Sequence, residues 1–318
     1  MFAMTQSVSE WIITEAEKMG FDACGIAQAT ALNEESAHME QWLDDGHEGE
    51  MGYLTRNREK RYDPRLLAEG TKSIVTVLYN YFPKQTLGGE RFKIAKYAYG
   101  ADYHDVLKRK MRQLLERIET QSGKLEGVRI FVDSAPVLDR AWAVRCGLGF
   151  IGKNTSLIHP KKGSFFFIGH LFLPLDLTET GQAMTNRCGR CTKCLDACPT
   201  GALESPFHID ARKCISYLTI EHKGTLEGHD SEQFKGWMYG CDICQDVCPY
   251  NRFALPHKEP EFEPSERLLT MREDDWKSLN PTDFEALFKR SAVQRAGYEG
   301  LKRNIDFIAG EKRNCKSS

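Results

Sequence analysis

The cysteine residues carry the clearest chemical signal in this chain, because eight of its eleven cysteines follow a repeated spacing. Four form a C-x2-C-x2-C-x3-C-P run at Cys188, Cys191, Cys194 and Cys198, and three form a shorter run at Cys241, Cys244 and Cys248. The eighth, Cys214, stands between the two runs. Such runs hold [4Fe–4S] clusters, and in two-cluster proteins the last cysteine of a run binds the other cluster. The spacing therefore predicts a protein that transfers single electrons.

The same rule predicts how the cysteines are shared between two clusters. Cluster 1 takes three cysteines of the first run and the last of the second: Cys188, Cys191, Cys194 and Cys248. Cluster 2 takes Cys198, Cys241 and Cys244, but the second run has Met238 where its remaining cysteine would stand. Cys214 is the unassigned cysteine between the runs, so we expect it to complete cluster 2.

Two other uses of these cysteines fit the pattern less well. Zinc sites usually pair C-x2-C units without the third cysteine and the proline ending. Disulfides need an oxidising compartment, and the first twenty residues lack the basic region of a secretory signal. We therefore expect iron–sulfur clusters in a cytoplasmic protein, and we interpret Cys24 and Cys146 as buried apolar residues and Cys315 as a tail thiol.

Length and charge limit the remaining possibilities. A chain of 318 residues is long enough for two or three domains, and its net charge of −2 does not advertise a polyanionic partner. No apolar stretch reaches the roughly 18 residues of a spanning helix, so we expect no membrane association and a monomer. The segment from Lys289 to Ser318 is locally basic, although such runs are more often solvated faces.

The elements that must position the cysteines divide the chain into three predicted parts. Residues 1–180 predict an α/β domain, with helices at 6–19, 33–45, 102–121 and 136–146 and strands at 23–27, 73–80, 128–133 and 164–173. Residues 181–256 predict a ferredoxin-like domain with two clusters, and residues 257–318 a linker and a helical C-terminal segment. The first part has no G-x-G-x-x-G or P-loop motif, and Leu107 interrupts a D-x-H-x-x-G pattern. Residue patterns alone therefore leave its redox partner unidentified.

Segments along nearly the whole chain resemble one family. They are residues 60–65, 97–104, 133–138, 147–155, both cysteine runs, 214–221 and 291–304. In this pattern the chain resembles the epoxyqueuosine reductases. The resemblance implies an α+β or α/β cobalamin-binding domain of nitroreductase-like fold, with an inserted domain holding two [4Fe–4S] clusters. It also implies that cobalamin and the clusters together reduce epoxyqueuosine to queuosine at the tRNA wobble position, releasing water. The implied partners are tRNA with a queuosine-type wobble base and an external low-potential electron donor.

The resemblance implies roles for individual residues. Asp133 is the expected catalytic acid and a cofactor contact, and the other expected cobalamin contacts are Arg56, Tyr97, Asn154, Ser156 and Ser216. Cobalamin is expected without a histidine ligand, which leaves His104 as a hydrogen-bonded helix residue. We expect tRNA contacts from Lys289, Arg290, Arg295, Lys302 and Arg303.

Three alternatives stay open at this point. Asp133 could instead cap a helix that begins near Pro136, because aspartate is a favoured N-cap residue. The chain could be a corrinoid enzyme of the reductive dehalogenase type. It could also be a ferredoxin-type electron carrier with no substrate of its own.

Overall fold

A four-stranded sheet of β-branched and aromatic residues underlies the first half of the chain. The computed structural model describes residues 7–310. The strands are β1 (Ala23–Gln28), β2 (Ser73–Asn80), β3 (Lys93–Ile94), β4 (Arg129–Phe131), β5 (Phe150–Ile151), β6 (Leu157–Ile158), β7 (Phe166–Leu173) and β8 (Trp237–Tyr239). The main sheet has the order β1-β2-β7-β4, and every pairing in it is antiparallel. Strand β7 is thus central, as its continuous apolar sequence predicted, and the domain is of the α+β kind.

Helices cover both faces of this sheet. They are α1 (Val8–Lys18), α2 (Asn33–Asp44), α3 (Arg58–Tyr62), α4 (Pro64–Leu67), α5 (Tyr103–Ser122), α6 (Asp139–Arg145), α7 (Lys193–Asp196), α8 (Ile215–Ile220), α9 (Ile243–Asp246), α10 (Glu266–Thr270), α11 (Glu273–Lys277), α12 (Pro281–Phe288) and α13 (Gly297–Ala309). Helices α1 and α5 pack on one face of the sheet, and α6 packs on the other with Trp142 and Cys146. Close approach requires glycine at two strand positions: a Cβ on Gly25 would lie 2.2 Å from the carbonyl oxygen of Cys146, and one on Gly169 would lie 2.4 Å from the sulfur of Met111.

Most predicted elements of the first 175 residues are present, with one informative exception. Helix α6 was predicted from residue 136 but begins at Asp139, and its N-cap residue Leu138 makes no capping hydrogen bond through its side chain. Asp133 lies six residues before the helix with φ of +53°, in the left-handed region. A left-handed residue ends the extended strand and turns the chain before a helix can start. The hypothesis that Asp133 caps this helix is therefore wrong.

The C-terminal segment joins the cysteine-rich segment to the first half of the chain. Strand β8, just before Cys241, pairs in parallel with β3. Helix α13 covers this ribbon, where the buried Asn304 side chain donates hydrogen bonds to the carbonyls of Thr219 at 2.8 Å and Met238 at 2.9 Å. Phe262 packs edge-on against Tyr79 and Phe167 of the main sheet. Contacts thus cross both predicted domain boundaries.

Two smaller expectations concern single features. Cys24 and Cys146 are both buried, as predicted, whereas Cys315 lies outside the described residues. Among residues 7–310 none of the helices combines the length and the apolar character that crossing a membrane requires.

Candidate functional site

The four cysteines predicted for cluster 1 line a single cavity. Its other lining residues are Lys153, Asn154, Ile158, Pro249 and Tyr250. The one-turn helices α7 and α9 bring the two runs side by side. The loop between Cys188 and Cys191 is tied down by Lys153, whose ammonium group donates hydrogen bonds to the carbonyls of Gly189 at 2.8 Å and Cys191 at 2.9 Å. The cavity therefore presents four thiols and a local positive charge, which suits an anionic iron–sulfur cluster.

The four cysteines predicted for cluster 2 form a second, more enclosed group. Burial raises the pKa of the Cys214 thiol, and charge repulsion from Cys198 adds to this rise. Burial likewise raises the pKa of Cys244, with further contributions from Cys214 and Cys198. The pKa of Cys241 is raised by burial and by the same neighbours, Cys214 and Cys244. Thiols held this close together in a buried site become ligands when a metal displaces their protons.

Backbone N–H groups are directed at these sulfur atoms. Cys214 is the N-cap residue of α8, and the N–H groups of Ser216 and Tyr217 donate to its sulfur, which offsets part of the rise in its pKa. The backbone N–H of Ile243 acts in the same way on Cys241. Hydrogen bonds to sulfur stabilise thiolate ligands and tune cluster potentials. The contribution of Ser216 that the structure displays is thus its backbone N–H.

Met238 shows why the second run lacks its usual cysteine. It lies in β8 and is fully buried in the hydrophobic cluster formed by the C-terminal helices. Because the backbone of β8 is committed to pairing with β3, a side chain at this position serves the core. A cysteine from elsewhere has to take its place, and Cys214 is the one the fold brings to Cys241 and Cys244.

Asp133 lies where the end of β4 meets the start of α5. The Tyr103 hydroxyl donates a hydrogen bond to its carboxylate, and Nε2 of His104 lies 3.8 Å from the same oxygen, Oδ2. Although 63 % of the Asp133 side chain stays accessible, protein walls surround it. This partial desolvation raises its pKa, and repulsion from Asp139 raises it further, while Tyr103, His104 and Arg140 act in the opposite direction. The site thus favours a protonated carboxyl group more than free solution does.

His104 links Asp133 to a second carboxylate. Its Nδ1 lies 2.7 Å from Oδ1 of Asp102, which also accepts a hydrogen bond from the His104 backbone at 2.9 Å. Burial alone would raise the pKa of Asp102, but these hydrogen bonds outweigh burial and lower it. Both ring nitrogens therefore face carboxylates, in agreement with the prediction that His104 is a hydrogen-bonded helix residue.

Tyr97 extends from the Asp133 region to the cluster 2 peptide. Its ring packs edge-on against Tyr103, with centroids 6.1 Å apart, and lies at the same distance from the ring of Tyr239. A Cβ placed on Gly240, the residue before Cys241, would lie 3.5 Å from the Tyr97 ring. Burial raises the pKa of Tyr97 well above its usual range, so this phenol stays neutral.

The other predicted cofactor contacts are in different states. Asn154 is buried, and its amide donates to the Cys244 carbonyl at 3.2 Å and accepts from the Ser156 N–H at 3.3 Å. Half of its hydrogen-bonding capacity is therefore already used. Arg56 is exposed, and among the described residues nothing forms a hydrogen bond or ion pair with its guanidinium group.

Sequence reasoning missed three residues near Asp133. The Tyr53 hydroxyl is close enough that the charge of Asp133 contributes to raising its pKa, after the larger effect of burial. Arg61 is buried, donates to the Tyr53 carbonyl at 3.2 Å and has Asp139 as a charged neighbour. Arg61 stands inside the quoted segment 60–65, but no sequence signal connected it with Asp133.

Comparison with known proteins tests the predicted family. Residues 187–251 match the model of the 4Fe-4S double cluster binding domain, and residues 61–134 match the model described as epoxyqueuosine reductase QueG, DUF1730. The chain is 48 % identical over 300 residues to an epoxyqueuosine reductase of Cellulophaga algicola, covering 94 % of this chain and 97 % of the relative. The chain belongs to the epoxyqueuosine reductase family. The family and the fold class predicted from the sequence are confirmed, and so is the two-cluster domain.

Two solved structures of the family superpose on almost the entire chain. An epoxyqueuosine reductase with an epoxyqueuosine-modified tRNA-Tyr stem loop matches with a TM-score of 0.84 and 30 % identity, covering 94 % of this chain and 80 % of that one. The enzyme from Bacillus subtilis, with its catalytic aspartate loop swung out of the active site, matches with a TM-score of 0.83 at the same identity and coverage.

Proposed function

We propose that this protein reduces epoxyqueuosine to queuosine in tRNA, with Asp133 as the proton donor. The observation that carries the proposal is a carboxyl group of raised pKa at the end of β4, connected through Tyr97 to the peptide of the cluster 2 cysteines. Membership of the family supplies the substrate class. The overall change takes up two electrons and two protons, converts the epoxide into a carbon–carbon double bond and releases the oxygen as water.

The cysteine geometry supports the predicted ligand sets for two [4Fe–4S] clusters. Cluster 1 would be held by Cys188, Cys191, Cys194 and Cys248, and cluster 2 by Cys198, Cys214, Cys241 and Cys244. When bound, the clusters supply the two electrons one at a time from an external low-potential donor. The protein contributes N–H groups directed at the sulfur atoms and a mostly apolar surrounding.

The region between cluster 2 and Asp133 fits the cobalamin that the family implies. The fit rests on chemistry: corrin side chains carry amides, and Arg56, Ser156 and the unused half of the Asn154 amide offer donors and acceptors for them. Tyr97 offers an apolar ring. When bound there, cobalamin supplies a reduced cobalt centre for the two-electron reduction. Both nitrogens of His104 are directed toward carboxylates, which supports cobalamin bound without a histidine ligand.

Asp133 would deliver a proton to the departing epoxide oxygen. Desolvation and the negative charge of Asp139 keep a larger fraction of its carboxyl group protonated near neutral pH than in a free aspartate. The Tyr103 hydroxyl holds the carboxyl group in place, and burial raises the pKa of Tyr103 so far that it remains a donor. The second proton of the product water comes from solvent.

The surface near Asp133 supports tRNA as the partner. The exposed residues Lys289 and Arg290 follow α12, and the Arg290 carbonyl accepts a 2.5 Å hydrogen bond from the backbone N–H of Asp102. Their positive charges therefore stand beside the start of α5, where they can contact phosphates. Three other predicted tRNA contacts have internal roles: Arg295 pairs with Glu221, Lys302 pairs with Asp306, and Arg303 donates to the carbonyls of Leu218, His222 and Gly224.

The test is conversion of the substrate itself. The cluster- and cobalamin-loaded protein is incubated anaerobically with epoxyqueuosine-containing tRNA and a reductant, and the digested nucleosides are separated. Queuosine should form and epoxyqueuosine should disappear in equal amounts. A protein that oxidises the reductant without forming queuosine would be an electron carrier, and the proposal would fail.

A further inference from the structure

A second group of metal-binding side chains lies apart from the eight cluster cysteines and from Asp133. Asp45 and His47 follow helix α2, and His208 lies in the loop between Cys198 and Cys214. One potential ligand atom from each of the three lies within 4.8 Å of the other two. We propose that these residues bind a divalent transition-metal ion, with Zn²⁺ as the best match.

The buried atoms of this group need a partner. Nδ1 of His47 and Oε2 of Glu48 are inaccessible to solvent, and neither has a hydrogen-bond partner among the described residues. A buried polar atom without a partner carries a desolvation penalty of about 1–3 kcal/mol. A cation bound by the imidazole would remove the penalty at His47 and would also be attracted by the carboxylate of Glu48.

The backbone places the two imidazoles together. Gly46 and Gly49 both adopt positive φ, of +65° and +60°, so the chain turns sharply around His47. The His47 carbonyl accepts a hydrogen bond from the N–H of Ala211 at 3.0 Å, which joins the two loops. The rings of His47 and His208 then meet edge to face, with centroids 4.9 Å apart.

The surrounding charges favour a cation. One oxygen of Asp45 accepts a hydrogen bond from Gln41 at 3.0 Å, which leaves the other oxygen available. Oε2 of Glu204 lies 3.8 Å from Nε2 of His208. The nearest cationic side chains are already neutralised, since Arg212 pairs with Asp210 and Lys213 pairs with Glu204.

The donor set indicates which ion would bind. Two imidazole nitrogens and one carboxylate oxygen suit Zn²⁺, with water or Glu204 as a fourth ligand. Tetrahedral zinc with bonds of about 2.0 Å needs ligand atoms roughly 3.3 Å apart, so small side-chain rotations have to close the group. The ion would fix residues 199–213, the loop that joins two cluster 2 cysteines, to the loop after α2.

The experiment measures zinc bound to tag-free protein whose clusters are fully loaded. Zinc affinity is obtained by dialysis against buffered Zn²⁺ with elemental analysis, and the ligands are identified by X-ray absorption at the zinc edge. We expect one zinc per chain, with nitrogen and oxygen neighbours at about 2.0–2.2 Å and no sulfur shell near 2.3 Å. Loss of an outer-shell partner alone weakens metal binding 10–100-fold, so His47→Gln and His208→Gln should each weaken it at least tenfold.

The controls separate this site from the cysteines and from misfolding. His38→Gln changes an exposed histidine on α2 and should leave zinc affinity unchanged. Iron content should be equal in all variants, and if His47→Gln loses iron, the exposed Asp45→Asn replaces it with the same expected loss of zinc affinity. A sulfur shell, no zinc on the wild-type protein, or equal zinc affinity in wild type and His208→Gln would each overturn the proposal.

Discussion

Replacing Asp133 by asparagine tests the proposed proton donor most directly. Asparagine tolerates the left-handed conformation at φ of +53° and can still accept the hydrogen bond from Tyr103. The substitution therefore removes the acid and preserves the shape. Loss of a general acid typically slows a reaction by a factor on the order of 10²–10⁴.

The structure favours the lower part of that range. The Asp133 side chain is 63 % accessible, so water can partly replace it, and Tyr103 and His104 stand at the same carboxylate. We expect a loss of about 10²–10³-fold, which corresponds to about 2.7–4.1 kcal/mol in the activation barrier. Single-turnover conversion of epoxyqueuosine-containing tRNA measures it, with clusters and cobalamin matched to wild type. Ser134→Ala, at the neighbouring exposed residue, is the control and should turn over normally.

The pH dependence provides an independent check on Asp133. Because its pKa is raised, the wild-type rate should fall as pH increases through that pKa, and Asp133→Asn should lack this fall. Asp139→Asn removes a negative charge that contributes to the raised pKa, so the fall should move to lower pH. Near-wild-type turnover of Asp133→Asn, or an unmoved pH profile in Asp139→Asn, would refute the proposed role.

Three further predictions concern the cofactors and the tRNA. Wild-type protein should contain about eight irons per chain, and Cys214→Ala should lose about half while the EPR signal of one reduced cluster remains; unchanged iron content would disprove the ligand set. The EPR spectrum of cob(II)alamin in the protein should show no nitrogen splitting from an axial base, whereas splitting abolished in His104→Ala would make this histidine a ligand. Reversing both Lys289 and Arg290 to glutamate should weaken tRNA binding and lower its salt dependence by about one per phosphate contact, with Lys18→Glu on α1 as control; an unchanged slope would exclude this surface.

The sequence predicted best what depends on local spacing. The cysteine runs identified the two-cluster segment, and apolar periodicity located the main-sheet strands and helix α5 because one face of each packs on the sheet. Helix α6 was placed three residues too early, since the left-handed turn at Asp133 is set by the surrounding loop. Ser134 and Pro136 resemble a helix start in sequence, but local propensity is a weak guide where tertiary packing decides.

Long-range contacts explain what the sequence did not reveal at the site. Arg303 looks like a solvent-facing base in a basic segment, yet it donates to three backbone carbonyls of the cysteine-rich segment. Tyr53 and Arg61 approach Asp133 only because loops distant in sequence converge there. Ser216 acts on Cys214 through its backbone, which a residue pattern does not encode.

The parallel pairing of β3 with β8 has a consequence for the timing of electron and proton delivery. Backbone hydrogen bonds tie Lys93 and Ala95, just before Tyr97, to the strand that leads into Cys241, so the separation between cluster 2 and this aromatic wall is fixed by the main chain. Tunnelling rates fall exponentially with distance, and a rigid gap keeps them constant. Asp133 instead sits on a short irregular loop, and in the Bacillus subtilis relative the catalytic aspartate loop swings out of the active site. In such a division of labour, electrons would be available continuously, and loop closure over bound tRNA would decide when they are spent.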